Sequence, residues 1–158
     1  MIDGIAGSGK TTVIQAMFES IQARKLRCFR LQDWKADHPP TFAEIADFDV
    51  YFTYEPTRHW FGAGLRYEMF SSKEYNGASH AHAFALDREV MYRRLILPAL
   101  EAGKIIIQDR GISTSLVYQP IMEGGLSLDE IKRLPGNQLA LTRAPQHLVL
   151  TVIPPERV

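Results

Sequence analysis

Apolar and polar positions along the chain switch between a helical period and a strand period. After a brief apolar start, Val13, Ile14, Met17, Phe18 and Ile21 recur at helical spacing. In Lys25 to Leu31, Leu26, Cys28 and Arg30 alternate with Arg27, Phe29 and Leu31, which predicts a strand. Asp33 to Pro40 is polar and reads as a loop, and Thr41 with Glu44 has the spacing of a capping box opening a short helix. Phe42, Ile45 and Phe48 give that helix one apolar face. Val50 to Tyr54 is aromatic and β-branched, hence a strand, and Pro56 stops it at Glu55. Gly62 to Phe70 predicts a helix carrying Arg66, and Ser71 to Ser79 a loop with Asn76-Gly77 as its turn signal.

His80 to Ala102 reads as one long helix, kinked at Pro98 and capped by Gly103. Lys104 to Gln108 has the composition of a buried parallel strand. Ser113 to Tyr118 falls in a loop and the next helix. Gly124-Gly125 marks a loop, and Ser127 to Glu130 is a second capping box. The short helix it opens ends at Pro135-Gly136, and a further helix covers Asn137 to Arg143. Leu148 to Ile153 is the last strand, closed by Pro154-Pro155. Strands that alternate with helices predict an α/β fold with a mostly parallel sheet.

Composition narrows this picture only a little. The 158 residues suit a single domain with a sizeable core, here taken as 1–158. Eighteen basic residues balance eighteen acidic ones, so global charge favours neither a nucleic-acid nor a membrane partner. The single cysteine, Cys28, excludes an internal disulfide and fits a reducing cytosol, so the expected location is cytoplasmic. No apolar run is long enough to span a bilayer, and no signal peptide is visible. The five histidines show no metal-ligand spacing.

The chemistry begins at Gly4-Ile5-Ala6-Gly7-Ser8-Gly9-Lys10-Thr11, which fits the phosphate-binding pattern G-x-x-x-x-G-K-[ST]. Gly4, Gly7 and Gly9 let the backbone turn its N–H groups inward around a phosphate. Lys10 brings positive charge to the β- and γ-phosphates, and the Thr11 hydroxyl can ligate Mg²⁺. The nucleotide-binding set is thus Gly4, Ala6, Gly7, Ser8, Gly9, Lys10, Thr11 and Thr12. The helix that follows presents its N-terminal dipole to the same anion. Only Met1, Ile2 and Asp3 precede the loop, so its strand is expected to be clipped.

Strand ends supply the other candidates, because ligands of open α/β sheets gather at the carboxyl ends of strands. Glu55-Pro56 follows one strand and Asp109-Arg110 another. Asp109 is the expected partner of Mg²⁺ or its water shell, and Arg110 a bidentate phosphate ligand. Phe84 and Arg88 stand four apart on the long helix and share a face.

In that order, the phosphate loop, Glu55-Pro56, Phe84-Ala85-Leu86-Asp87-Arg88 and Asp109-Arg110 resemble the motif set of thymidylate kinases. Leu97 to Lys104 and Ser113 to Gln119 are similar to the family's stretches on either side of Asp-Arg. The resemblance implies a P-loop kinase sandwich that phosphorylates dTMP to dTDP with ATP and Mg²⁺, and commonly a homodimer. It implies that Phe84 stacks on thymine, and that Arg88 binds the base edge or the monophosphate. Arg110 then holds the acceptor phosphate, Asp109 places Mg²⁺ or the attacking phosphate, and Tyr118 sits by the sugar C2′. Pro56 walls the base pocket, Ser115 matches a polar base-contacting position, and Arg66 reaches towards the dTMP phosphate.

Lys10, Asp109 and Arg110 form the catalytic set, and Thr11 and Asp109 the metal set. Ala6 stands where the family often has an acid for the sugar 3′-OH, and Gly111 where it has an aromatic. The loop itself carries no extra basic residue, and the arginine-bearing lid of comparable relatives follows the strand that matches Leu148 to Ile153. That lid is expected to lie outside this chain, which therefore reads as truncated at both ends. Two alternatives stay open: a deoxynucleoside kinase using Glu55 as base, and a nucleotide-binding module without turnover.

Overall fold

In the computed structural model, which describes residues 1–154, five parallel strands form one sheet between two helical layers. The strands are β1 (Ile2–Asp3), β2 (Cys28–Arg30), β3 (Val50–Tyr54), β4 (Ile105–Asp109) and β5 (Val149–Leu150), in spatial order β2-β3-β4-β1-β5. Side-chain alternation on β3 and its neighbours builds two cores. Val50, Phe52 and Ile107 face α1 (Lys10–Ala23), meeting Val13, Ile14, Met17, Phe18 and Ile21. Phe29 and Tyr51 face the opposite layer and pack with Met91, Leu95, Ile96 and Ala99. The helical spacing read in the first segment is therefore the buried stripe of α1. The expected close of the last strand at Pro154-Pro155 falls partly outside the described residues.

Several boundaries move for identifiable reasons. The second strand is only Cys28–Arg30, because the chain enters a 3-10 turn at Leu31. The capping box of Thr41 and Glu44 is present, on a 3-10 turn over Phe42–Ile45. The helix expected over Gly62 to Phe70 begins earlier, as α2 (Trp60–Gly64), and widens into a π turn at Leu65–Met69. Asn76-Gly77 is not a turn. Asn76 is the N-cap of α3 (Gly77–Met91), accepting the Ser79 N–H at 2.9 Å. The Glu123 and Gly124 carbonyls take the N–H groups of Gly77 and Ala78, so the first helical turn is satisfied from outside.

The helix does run on past Pro98, but through a π turn at Tyr92–Ile96 into α4 (Leu97–Glu101). An α turn would drive the Pro98 ring into the carbonyl four residues back. Widening to an i−5 bond, Leu97 N–H to the Tyr92 carbonyl, makes room for it. Gly103, at φ 71°, closes α4 with a Schellman pair: Lys104 N–H to Ala99 O at 2.9 Å and Gly103 N–H to Leu100 O at 3.0 Å.

Beyond β4 come α5 (Ile112–Tyr118), α6 (Leu128–Arg133) and α7 (Pro135–Thr142). Pro135 does not merely end α6. It occupies the first turn of α7, where its missing N–H costs nothing. Gly136 lets α7 lie directly on α3, since a Cβ there would overlap the Ala85 carbonyl. β5 is shorter than the expected Leu148–Ile153: only Val149 and Leu150 pair with β1, and both are exposed. No helix among the described residues is long and apolar enough to cross a membrane.

One buried acid fastens α3 to the segment after β3. The Asp87 carboxylate accepts from the Thr57 N–H at 2.7 Å and the Thr57 hydroxyl at 2.6 Å. Burial outweighs these bonds and pushes its pKa up to about 6. The native state then binds this proton more tightly than the unfolded chain. The contribution of Asp87 to stability therefore rises as pH falls from 7 towards 4, and is lost again as pH climbs through 6. Between pH 7 and 4.5 the unfolding free energy of the wild type, minus that of Asp87→Asn, should increase by about 2 kcal/mol. Denaturant titrations of both proteins across that range check it, and a flat difference contradicts it.

Candidate active site

The phosphate loop joins β1 to α1 as its pattern requires. Gly7 and Gly9 take φ of 78° and 86°, in the left-handed region open to glycine, and Gly9 is the N-cap of α1. Gly4, at φ 144°, has no space for a side chain, because a Cβ would meet the Thr151 carbonyl and the Ser8 hydroxyl. Lys10 lies along the loop, its ammonium donating to Gly4 O at 2.8 Å and Ile5 O at 2.6 Å. Burial lowers its pKa and the neighbouring Arg110 adds to that, while Asp109 and Asp3 oppose it.

Arg110 reaches the same loop from the end of β4. Its backbone sits at φ 63°, a conformation that costs a non-glycine residue about 1–2 kcal/mol. In return its side chain points back over β1, donating to the Gly4 carbonyl at 3.2 Å. Lys10 and Arg110 thus meet at one oxygen. Asp3, which sequence reasoning passed over, organises this junction. It accepts from the Gly4 N–H at 2.8 Å, from the Ser113 hydroxyl and from the Thr114 hydroxyl at 2.9 Å, and lies 3.7 Å from Arg110. An acid at a strand end, immediately before the first loop glycine, was its visible signal.

Two cavities flank this junction. The larger, of about 660 Å³, brings together Ala6, Arg110, Phe84, Ser115 and Tyr118, five of the expected residues. Met69 and the rings of Phe70, Tyr75 and His80 extend its wall, and no carboxylate among the described residues lines it. Phe70 packs on Phe84 at 6.0 Å between ring centroids. Gln119, also in the wall, donates to the Ser115 hydroxyl at 3.0 Å and leaves its own carbonyl oxygen buried without a partner. The smaller cavity, of about 100 Å³, lies on the α1 side and is lined by both Thr11 and Asp109. Asp109 keeps one buried carboxylate oxygen unpartnered, and burial raises its pKa against the pull of Arg110 and Lys10. A carboxylate oxygen and a hydroxyl lining one cavity are hard-oxygen donors of the kind Mg²⁺ takes, so these residues fit that ion.

The remaining candidates stand behind the walls rather than in them. Arg88 neither faces solvent nor lines the larger cavity, whereas the resemblance implied a contact with the base edge or the monophosphate. Its side chain is 1% exposed and donates to Glu55 at 2.5 and 3.0 Å, to Ser115 at 2.9 Å and to Asn137. Gln108 adds a 2.8 Å bond to Glu55. Glu55 is therefore committed to a buried cation and an amide. Arg66 donates to the Pro56 and Thr57 carbonyls at 2.8 and 2.9 Å and lies over the Tyr54 ring, so it braces the Glu55-Pro56 segment. Asn137 and Gln108 carried no sequence signal: an isolated amide looks the same on a surface and in a core.

Known proteins match this chain in sequence and in fold. The family model described as thymidylate kinase matches residues 41–158. A probable thymidylate kinase of Pyrococcus abyssi is 33% identical over 139 residues, 85% of this chain and 56% of that protein. One of Methanoculleus marisnigri is 26% identical over 155 residues, 98% of this chain and 63% of that protein. This chain thus spans about three fifths of the length of these relatives. The crystal structure of thymidylate kinase from Ehrlichia chaffeensis superposes over 97% of this chain and 74% of its own, with a TM-score of 0.70 at 24% identity, a likeness of fold. With the family model covering well over half of its residues, this chain belongs to the thymidylate kinase family.

Proposed function

We propose that the chain carries the catalytic core of a kinase that moves the γ-phosphoryl of ATP onto the phosphate of dTMP, giving ADP and dTDP. One observation carries the reading. Lys10 and Arg110 converge on the Gly4 carbonyl, and Ala6, Arg110 and Phe84 line one cavity, so the donor loop and an aromatic pocket share a wall. Two nucleotides held there meet end to end at Arg110. Transfer of this kind depends on placement and on positive charge around the moving group.

The loop N–H groups and Lys10 hold the donor phosphates. Arg110 holds the acceptor phosphate, Phe84 stacks on the base, and Ser115 and Gln119 offer hydrogen bonds to its edge. Tyr118 crowds the sugar. Thr11 and Asp109 would hold Mg²⁺, which would supply positive charge against the phosphates of ATP. The pairing of Glu55 with Arg88 and Gln108 speaks against the alternative in which Glu55 deprotonates a nucleoside hydroxyl. A coupled assay with ATP and Mg²⁺ should show turnover with dTMP, less with dUMP, and little with dCMP or thymidine. Phosphorylation of thymidine with dTMP inert, or equal use of all four, overturns the proposal.

A further inference from the structure

We infer that Thr151, just after β5, is a positioning residue whose hydroxyl latches the phosphate loop in the form that receives the donor phosphates. This rests on the reading of that loop as the donor site. Leu148 to Ile153 is apolar except at Thr151. The Thr151 backbone N–H donates to the Asp3 carbonyl at 2.9 Å, which sets the residue beside the loop. There its Oγ1 lies 2.6 Å from the Ser8 hydroxyl, 143 positions away in the chain. Ser8 alone is buried among residues 5–9. Among the described residues, this is the one hydrogen bond that ties residues 5–9 to a distant segment.

Each hydroxyl has one proton to donate. Ser8 Oγ is 2.8 Å from the Ile5 carbonyl, and Thr151 Oγ1 is 3.2 Å from the Asp3 carbonyl. The two shortest contacts are satisfied together when Thr151 donates to Ser8 and Ser8 donates to Ile5. Each bond in such a chain polarises the next. The Ile5 carbonyl also accepts from the Lys10 ammonium at 2.6 Å. The chain therefore runs from the last strand, through two hydroxyls, to a carbonyl that holds Lys10. Gly4 completes the contact, since a Cβ there would overlap both Thr151 and Ser8.

Without the Thr151 hydroxyl, Ser8 keeps Ile5 but loses its tie outside the loop. Residues 5–9 then sample arrangements whose N–H groups do not converge, and a bound phosphate has to restore the order. Apparent affinity falls with the fraction of molecules already in the competent form. The loss falls on the donor nucleotide. Among the described residues, the aromatic cavity takes only Ala6 from residues 5–9, so dTMP is little affected.

The test is calorimetric titration of MgADP and dTMP into wild type, Thr151→Val, Thr151→Ser, Ser8→Ala and the Ser8→Ala, Thr151→Val double variant, beside thermal melts. Valine matches threonine in outline without the hydroxyl, and serine keeps the hydroxyl. Thr151→Val should weaken MgADP about fivefold, the worth of one hydrogen bond, and leave dTMP within about twofold. Thr151→Ser should recover most of the loss. On the Ser8→Ala background, Thr151→Val should change MgADP by less than about twofold, because its partner is already gone. If Thr151→Val does not fold, Thr151→Ala takes its place. Equal weakening of MgADP and dTMP overturns the inference, as does an undiminished loss on the Ser8→Ala background. Wild type that binds MgADP while Thr151→Val binds it as tightly removes this inference alone; wild type that does not bind MgADP removes the donor-site reading too.

Discussion

Lys10→Met should lower phosphoryl transfer by about a thousandfold with the fold intact, since a single fixed donor at a developing charge is worth about 10²–10³ in rate. Lys10 is 7% exposed and its ammonium is pinned by the Gly4 and Ile5 carbonyls, so it enters the site already positioned. Burial and the adjacent Arg110 both work against its charge, whereas bound phosphates favour it. Removing a partly desolvated cation relieves that opposition, so the melting temperature should hold or rise slightly. Methionine keeps most of the aliphatic length. Steady-state rates, together with melts of both proteins, check the claim. A variant within tenfold of wild type means that Arg110 and the loop amides suffice and that Lys10 has been misassigned.

Much of this architecture was open to inspection in the chain, for physical reasons that differ by element. The phosphate loop is legible because three glycines, a lysine and a hydroxyl at fixed spacing have few other uses. The helix Val13 to Ile21 is legible because it buries one face at helical period, and the strand Val50 to Tyr54 because its aromatic and β-branched residues suit a strand buried on both faces. Asn76-Gly77 misleads because the same pair serves as a turn or as a helix start. Only the Glu123 and Gly124 carbonyls, nearly fifty residues away, decide between them. Arg88 misleads in a deeper way. Its motif marks it as important, yet its role depends on Glu55, Ser115 and Asn137 converging from three other segments. Spacing along one helix cannot report that convergence. The two cavities on either side of Gly4 are equally invisible, since each is lined from at least four separated stretches.

Arg88→Met should cost about 3–5 kcal/mol of stability, a large share of the roughly 5–15 kcal/mol a domain has. The reason is the partner left behind. Glu55 and Arg88 are 6% and 1% exposed at their side chains, and without the guanidinium Gln108 would be the one side-chain donor to the Glu55 carboxylate among the described residues. A buried anion held by one neutral amide carries most of its desolvation cost unrelieved. Asn137 and Ser115 lose their donor at the same stroke. Removing the charge on Glu55 as well should therefore restore stability: Arg88→Met with Glu55→Gln should unfold at higher denaturant than Arg88→Met alone. The double variant should still bind dTMP poorly, because Ser115 no longer has its orientation set. Urea titrations of the two single variants and the double one measure the coupling between the sites directly. A coupling near zero would mean that the two side chains do not share a buried ion pair, and the layer beneath the acceptor pocket would have to be redrawn around Asp87 and Thr57.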